Sequence, residues 1–132
     1  MRVLVFGGRD FTDRRWLYRV LDAVHARLPI SMIIEGEASG ADRLARQWAE
    51  MRKILVDPYP ADWNDISVAG AVVRRSRNGK LYNAAAGPMR NAKMLHLGKP
   101  TYAIGFPGGS GTRDMASQCF LAGLRPRMMR RG

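Results

Sequence analysis

Three arginines stand beside glycine-containing turns. Arg9 follows Gly7-Gly8 and precedes Asp10, Arg90 follows Gly87-Pro88 and precedes Asn91, and Arg113 follows "PGGSGT" (107–112) and precedes Asp114. A guanidinium forks onto phosphate oxygens through two N–H groups. Glycine lets an anion come up to the backbone itself. A cation in the first turn of a helix opposes the helix dipole at a cost of a few tenths of a kcal/mol, so arginines at helix starts point to an anionic ligand there. Asp10, Asp42 and Asp114 are carboxylates that could move a proton or accept a hydrogen bond from a ribose hydroxyl. Asp42 equally fits a capping box with Ser39 at the start of a helix. Trp63 could pack in a core or stack on a base.

Such residues must be carried to one place. "VLVFGG" (3–8), "SMIIEG" (31–36), "ILVDPYP" (54–60) and "YAIGF" (102–106) read as short apolar strands, and "LRPRMM" (124–129) as a weaker fifth. Trp16, Leu17, Val20, Leu21, Val24 and Leu28 recur at helical spacing behind a Thr12 or Asp13 cap. Leu44, Ala45, Trp48 and Met51 do the same over 39–53, and "MASQCFLAGL" (115–124) is also helical in pattern. Strands alternating with helices predict right-handed crossovers and a mainly parallel sheet covered on both faces. The expected fold is a Rossmann-like three-layer α/β/α sandwich of about five strands, with residues 1–132 as one domain.

In such a sheet ligands bind outside the carboxyl ends of the strands. The expected ligand-binding residues follow: Gly7, Gly8, Arg9 and Asp10 after the first strand; Gly36, Gly40, Ala41 and Asp42 after the second; Asp62 and Trp63 after the third; Pro107, Gly108, Gly109, Ser110, Gly111 and Thr112 after the fourth; and Arg90 and Asn91 from the helix start near 87. Helix N-termini with free N–H groups suit phosphate. Neither GxGxxG nor GxxxxGK[ST] occurs, which disfavours an ordinary dinucleotide dehydrogenase and a P-loop NTPase.

One stretch, 64–83, breaks the strand–helix rhythm. Asn78-Gly79 between Val72-Val73 and Leu81-Tyr82 signals an inserted β-hairpin near 71–83. Its Arg74, Arg75, Arg77 and Lys80 suit a charged flap over the ligand site or a contact to nucleic acid. The chain carries 22 basic and 11 acidic residues, a formal charge of +11, and residues 66–132 hold Asp114 as their sole acid. That asymmetry points to a phosphate-bearing or polyanionic partner. One cysteine, Cys119, and two histidines argue against disulfides and a structural zinc site and fit a reducing, cytoplasmic setting. No apolar run reaches the ~20 residues that span a bilayer.

"VFGGRDFTD", "EGEASGADRLARQWA", "PADW", "AGPMRNAKM" and "FPGGSGTRDM", in that order, resemble the YspA-related branch of the SLOG superfamily over roughly residues 3–124. The superfamily is also similar to the LOG phosphoribohydrolases and to the DNA-processing protein DprA. The resemblance implies a Rossmann-like fold, a pocket for nucleotides or nucleotide-derived ligands such as an ADP-ribose or NAD derivative, and homo-oligomers. LOG enzymes release a base from a nucleoside monophosphate with an arginine at a helix start and a glutamate after PGGxGT. Arg90 matches the arginine, Met115 stands at the glutamate position, and Asp114 is one residue early. The resemblance therefore implies binding more strongly than the LOG reaction, with Arg90 and Asp114 as the catalytic candidates if there is turnover.

Overall fold

"RVLVF" is apolar on both of its alternating faces, as a strand buried on two sides must be, and it forms β1 (Arg2–Phe6) at the centre of the sheet. A computed structural model describes residues 1–131. After β1 come α1 (Arg14–Arg27), β2 (Met32–Glu35), α2 (Ala41–Met51), β3 (Leu55–Pro58), β4 (Val73–Arg75), β5 (Leu81–Asn83), α3 (Ala86–His96), β6 (Tyr102–Gly105), α4 (Ser110–Leu121) and β7 (Arg127–Met128). The main sheet runs β3-β2-β1-β6-β7 and is parallel throughout, while β4 and β5 pair antiparallel as a separate hairpin. The Rossmann-like sandwich and the hairpin expected from the sequence are both present. The expected fifth strand shrinks to two residues, Ile104 pairing with Arg127 and Gly105 with Met128.

Alternation along β1 separates two cores. Val3 and Val5 pack with Leu17, Leu21, Ile33 and Trp48 beneath α1 and α2. Leu4 and Phe6 pack with Ile34, Met94, Met115 and Cys119 beneath α3 and α4. The lone cysteine is thus a core residue. Met51, expected on the buried side of α2, is 66% exposed, because it is the last residue of the helix. Trp16, half-buried, stacks edge-on against Phe106 at 5.7 Å, so it is not left as a free apolar face.

Strand order reverses between β1 and β6, whose chains leave the sheet to opposite sides. That divergence opens a crevice over their carboxyl ends. The loops after β1, β2, β3 and β6, together with the start of α3, meet around it.

Candidate functional site

The loop after β1 and the loop after β6 touch directly. Gly8 N–H donates to Pro107 O at 3.0 Å. A Cβ on Gly108 would lie 2.6 Å from Gly8 N, and one on Gly8 would lie 2.9 Å from the Gly108 Cα. What comes too close for a side chain at these two glycines is the protein's own backbone. Gly40 is a third such place: it sits at φ +76°, with a Cβ position 2.1 Å from Gly8 O. Gly109 and Gly111 differ, since a Cβ on either meets no atom within 4 Å. Their missing side chains leave open space.

That space belongs to a cleft of about 690 Å³ over the ends of β1 and β6. Of the expected residues, Gly7, Gly8, Arg9, Asp10, Asp42, Trp63, Arg90, Asn91, Gly109, Ser110, Gly111, Thr112 and Asp114 line it. Gly36, Gly40, Ala41, Asp62, Pro107 and Gly108 do not. Gly36 makes room for Arg90, whose Nη1 would be 2.6 Å from a Cβ there. Ala41 is buried beneath Gly7, Asp62 is exposed, and Pro107 and Gly108 face a neighbouring depression beside Asp13 and Arg131.

The first bond inside α4 runs from Arg113 N–H to Gly109 O at 3.1 Å. The N–H groups of Ser110, Gly111 and Thr112 therefore have no helical partner. The first turn contains no acid and Gly109 offers no side-chain cap. This helix starts at Ser110, inside the glycine motif and earlier than its apolar pattern suggests, and so delivers that motif's N–H groups to the cleft. Arg113 itself is exposed and does not line the cleft.

Arg90 is a half-buried cation in the cleft wall. It is the fifth residue of α3, in the second turn rather than the first. Its Nη1 donates to Gly36 O at 2.6 Å and its Nε to Asn91 Oδ1 at 2.9 Å. Among the described residues no carboxylate lies within 4.0 Å of it. Burial pulls its pKa below the ordinary arginine value, with Asp42 partly offsetting that. Arg9 also lines the cleft, its guanidinium 5.3 Å from the Trp63 ring centroid. Trp63 rests on Gly87, where a Cβ would lie 3.2 Å from the ring edge.

Three aspartates, Asp10, Asp42 and Asp114, line the cleft. Asp114 Oδ2 accepts from Asn91 Nδ2 at 2.9 Å and from Gln118 Nε2 at 2.8 Å. Asp42 is 6% exposed, and burial raises its pKa to about 6. The capping box does not form: Gly40 is the N-cap of α2, Ser39 Oγ donates to Arg9 O at 3.2 Å, and Asp42 Oδ2 accepts from Ala38 N–H at 3.2 Å. Positive φ at Gly40 moves the helix start one residue beyond Ser39 and frees Asp42 to reach back under the loop. Behind Asp42, Glu35 is fully buried with Oε2 unpartnered, and burial raises its pKa to about 7. In the sequence Glu35 is marked only as a charged residue ending the apolar run "MII". Met94, not among the expected residues, and Met115 also line the cleft.

The basic hairpin stands apart. Arg74, Arg75, Arg77 and Lys80 are exposed and none lines the cleft, so the structure does not place them as a flap. The turn is built on Gly79 N–H donating to Ser76 O at 2.9 Å, with positive φ at Gly79 but not at Asn78. Asn83, at the hairpin's base, reaches Met89 of α3. No helix among the described residues is long and apolar enough to cross a membrane.

A parallel sheet with a glycine- and arginine-lined crevice at its reversal point defines a Rossmann-like α/β protein. Residues 1–65, which hold β1 to β3 and the Arg9 and Trp63 loops, match the model of the YspA, cpYpsA-related SLOG family. The chain is also similar to the solved structure of DNA processing protein A (DprA) from Streptococcus pneumoniae, at 15% identity and a TM-score of 0.48, over 95% of this chain and 57% of that one. It thus spans little more than half of that structure's length. No curated protein matches the chain.

Proposed function

We propose that the protein binds a nucleotide or nucleotide-derived ligand, of the nucleoside phosphate or ADP-ribose type, in the cleft over β1 and β6, and acts as a sensor, a sequestering protein or a ligand-processing domain. The observation that carries this reading is Arg90, a half-buried guanidinium with no carboxylate within 4.0 Å among the described residues, in a wall shared with the acid-free start of α4. A phosphate there would accept from the Ser110, Gly111 and Thr112 N–H groups and from Arg90. Arg9 and Trp63 frame the mouth for the rest of the molecule. Native mass spectrometry of freshly purified protein should detect a nucleotide-like mass, and Arg90→Ala should abolish it. Loss of one charged hydrogen-bond partner corresponds to ~1.5–3 kcal/mol, or about 10- to 150-fold in affinity. An empty protein that also binds no member of a nucleotide panel would refute the reading.

A second reading, hydrolysis of an N-glycosidic bond in the same ligand, is favoured by the presence of Asp42 and Asp114 in the cleft wall. Asp42, with its raised pKa, would give a proton to the departing base, while Asp114 would take one from water attacking the anomeric carbon. The products would be the free base and a sugar phosphate. Chromatography of a nucleotide panel after incubation should then show free base with the native protein and none with Asp114→Asn. Absence of turnover leaves binding as the function.

A further inference from the structure

A second cavity, of about 290 Å³, opens between the loop after β2 and the loop after β3. It adjoins the main cleft, and both are lined by Arg9, Trp63 and Arg90. The wall between them is therefore the Arg9–Trp63 pair, one guanidinium over one indole. Glycine at 87 lets the indole lie against α3, and glycine at 36 lets Arg90 pass beneath the loop. The chamber is also lined by Glu37, whose carboxylate pairs with Arg46 at 3.6 Å, by Ser39, whose hydroxyl donates to Arg9 O at 3.2 Å, and by Ala61. An aromatic face, an acceptor and a hydroxyl around a small chamber suit a planar, hydrogen-bonding ring. The adjoining arginines suit the phosphate attached to it.

We propose that this side chamber is a nucleobase subsite: the base of a nucleoside phosphate stacks on Trp63 while its phosphate lies in the main cleft at Arg90 and the start of α4. The inference rests on the cleft being the ligand site. Entry of the ring displaces the Arg9 guanidinium from the indole face. Arg9 lines both cavities, so it then turns to the phosphate. Stacking on an aromatic ring is tolerant of base identity, so ring and phosphate, rather than one particular base, set the ligand class.

Calorimetry with AMP, ribose 5-phosphate and inorganic phosphate tests this. The native protein should bind AMP about tenfold or more tightly than ribose 5-phosphate. Trp63→Leu should reduce AMP to the affinity of ribose 5-phosphate. Ala61→Leu, which narrows the chamber while the indole stays in place, should weaken AMP likewise and leave ribose 5-phosphate within about twofold of native, so a folding defect in the tryptophan variant does not shield the idea. Equal affinities for AMP and ribose 5-phosphate in the native protein overturn the base subsite and leave the phosphate cleft intact. So does equal weakening of both ligands by Trp63→Leu with no effect of Ala61→Leu. If none of the three probes binds, the cleft reading falls together with the subsite.

Discussion

Gly111→Ala should make this protein more stable and a poorer binder at once. Gly111 is the second residue of α4, and a Cβ there meets nothing within 4 Å. With helical backbone and no clash, alanine lowers the entropy of the unfolded chain and stabilises by about 0.4–1 kcal/mol. Unfolding entropy near 2.1 cal/mol/K per residue converts this, for 132 residues, to a Tm rise of roughly 1.5–3.5 °C. The same methyl stands in the cleft beside the free N–H groups. Blocking one hydrogen bond to a charged phosphate costs ~1.5–3 kcal/mol, an affinity loss of about 10- to 150-fold. Gly40→Ala is the counterpart: φ is +76° and the new Cβ would lie 2.1 Å from Gly8 O. Left-handed backbone alone costs about 1–2 kcal/mol for an alanine, so Tm should fall by at least roughly 4–7 °C. Differential scanning calorimetry gives both Tm values and titration with AMP gives the affinities. A lower Tm in Gly111→Ala, or native affinity in it, refutes the division of glycines into those facing the chain and those facing a ligand.

Glu35 and Asp42 should make stability fall as pH rises. Burial raises their pKa values to about 7 and about 6 from 4.5 and 3.8, so the folded state holds protons that the unfolded chain releases. Their contribution is whole below about pH 4 and is lost as pH passes 6 to 7. Glu35→Gln should therefore gain stability relative to the native protein between pH 4 and 8, by on the order of 3 kcal/mol at most. Urea titrations across that range would show a difference independent of pH if the burial argument is wrong. Replacing Arg74, Arg75, Arg77 and Lys80 together with alanine should leave AMP affinity within about twofold, because all four are exposed and none of them lines the cleft, and salt screens exposed charges. A large loss in calorimetry would mean that the hairpin closes over the ligand.

Much of the architecture can be read in one dimension because its causes are local. Alternation of β1 residues, helical spacing in α1 and α2, Asp13 as a cap accepting from Trp16 N–H at 3.0 Å, and Asn78-Gly79 at the hairpin each act within a few residues. Chain order then restricts the topology, since parallel strands need right-handed crossovers. The glycine-rich strand ends and their arginines were legible for the same reason. Residue types alone, however, did not reveal what each glycine faces. Gly8, Gly40 and Gly108 lie far apart in sequence and meet only when β1, β2 and β6 are aligned, and there backbone fills the space that a ligand was expected to take. The same alignment leaves Gly109 and Gly111 open. Glu35 became a buried acid, Asp42 a cleft carboxyl rather than half of a capping box, and Trp63 the partner of Arg9 through contacts between separate loops. Short-range preference determined the elements; only their packing, which decides what is desolvated and what stays open, determined the site.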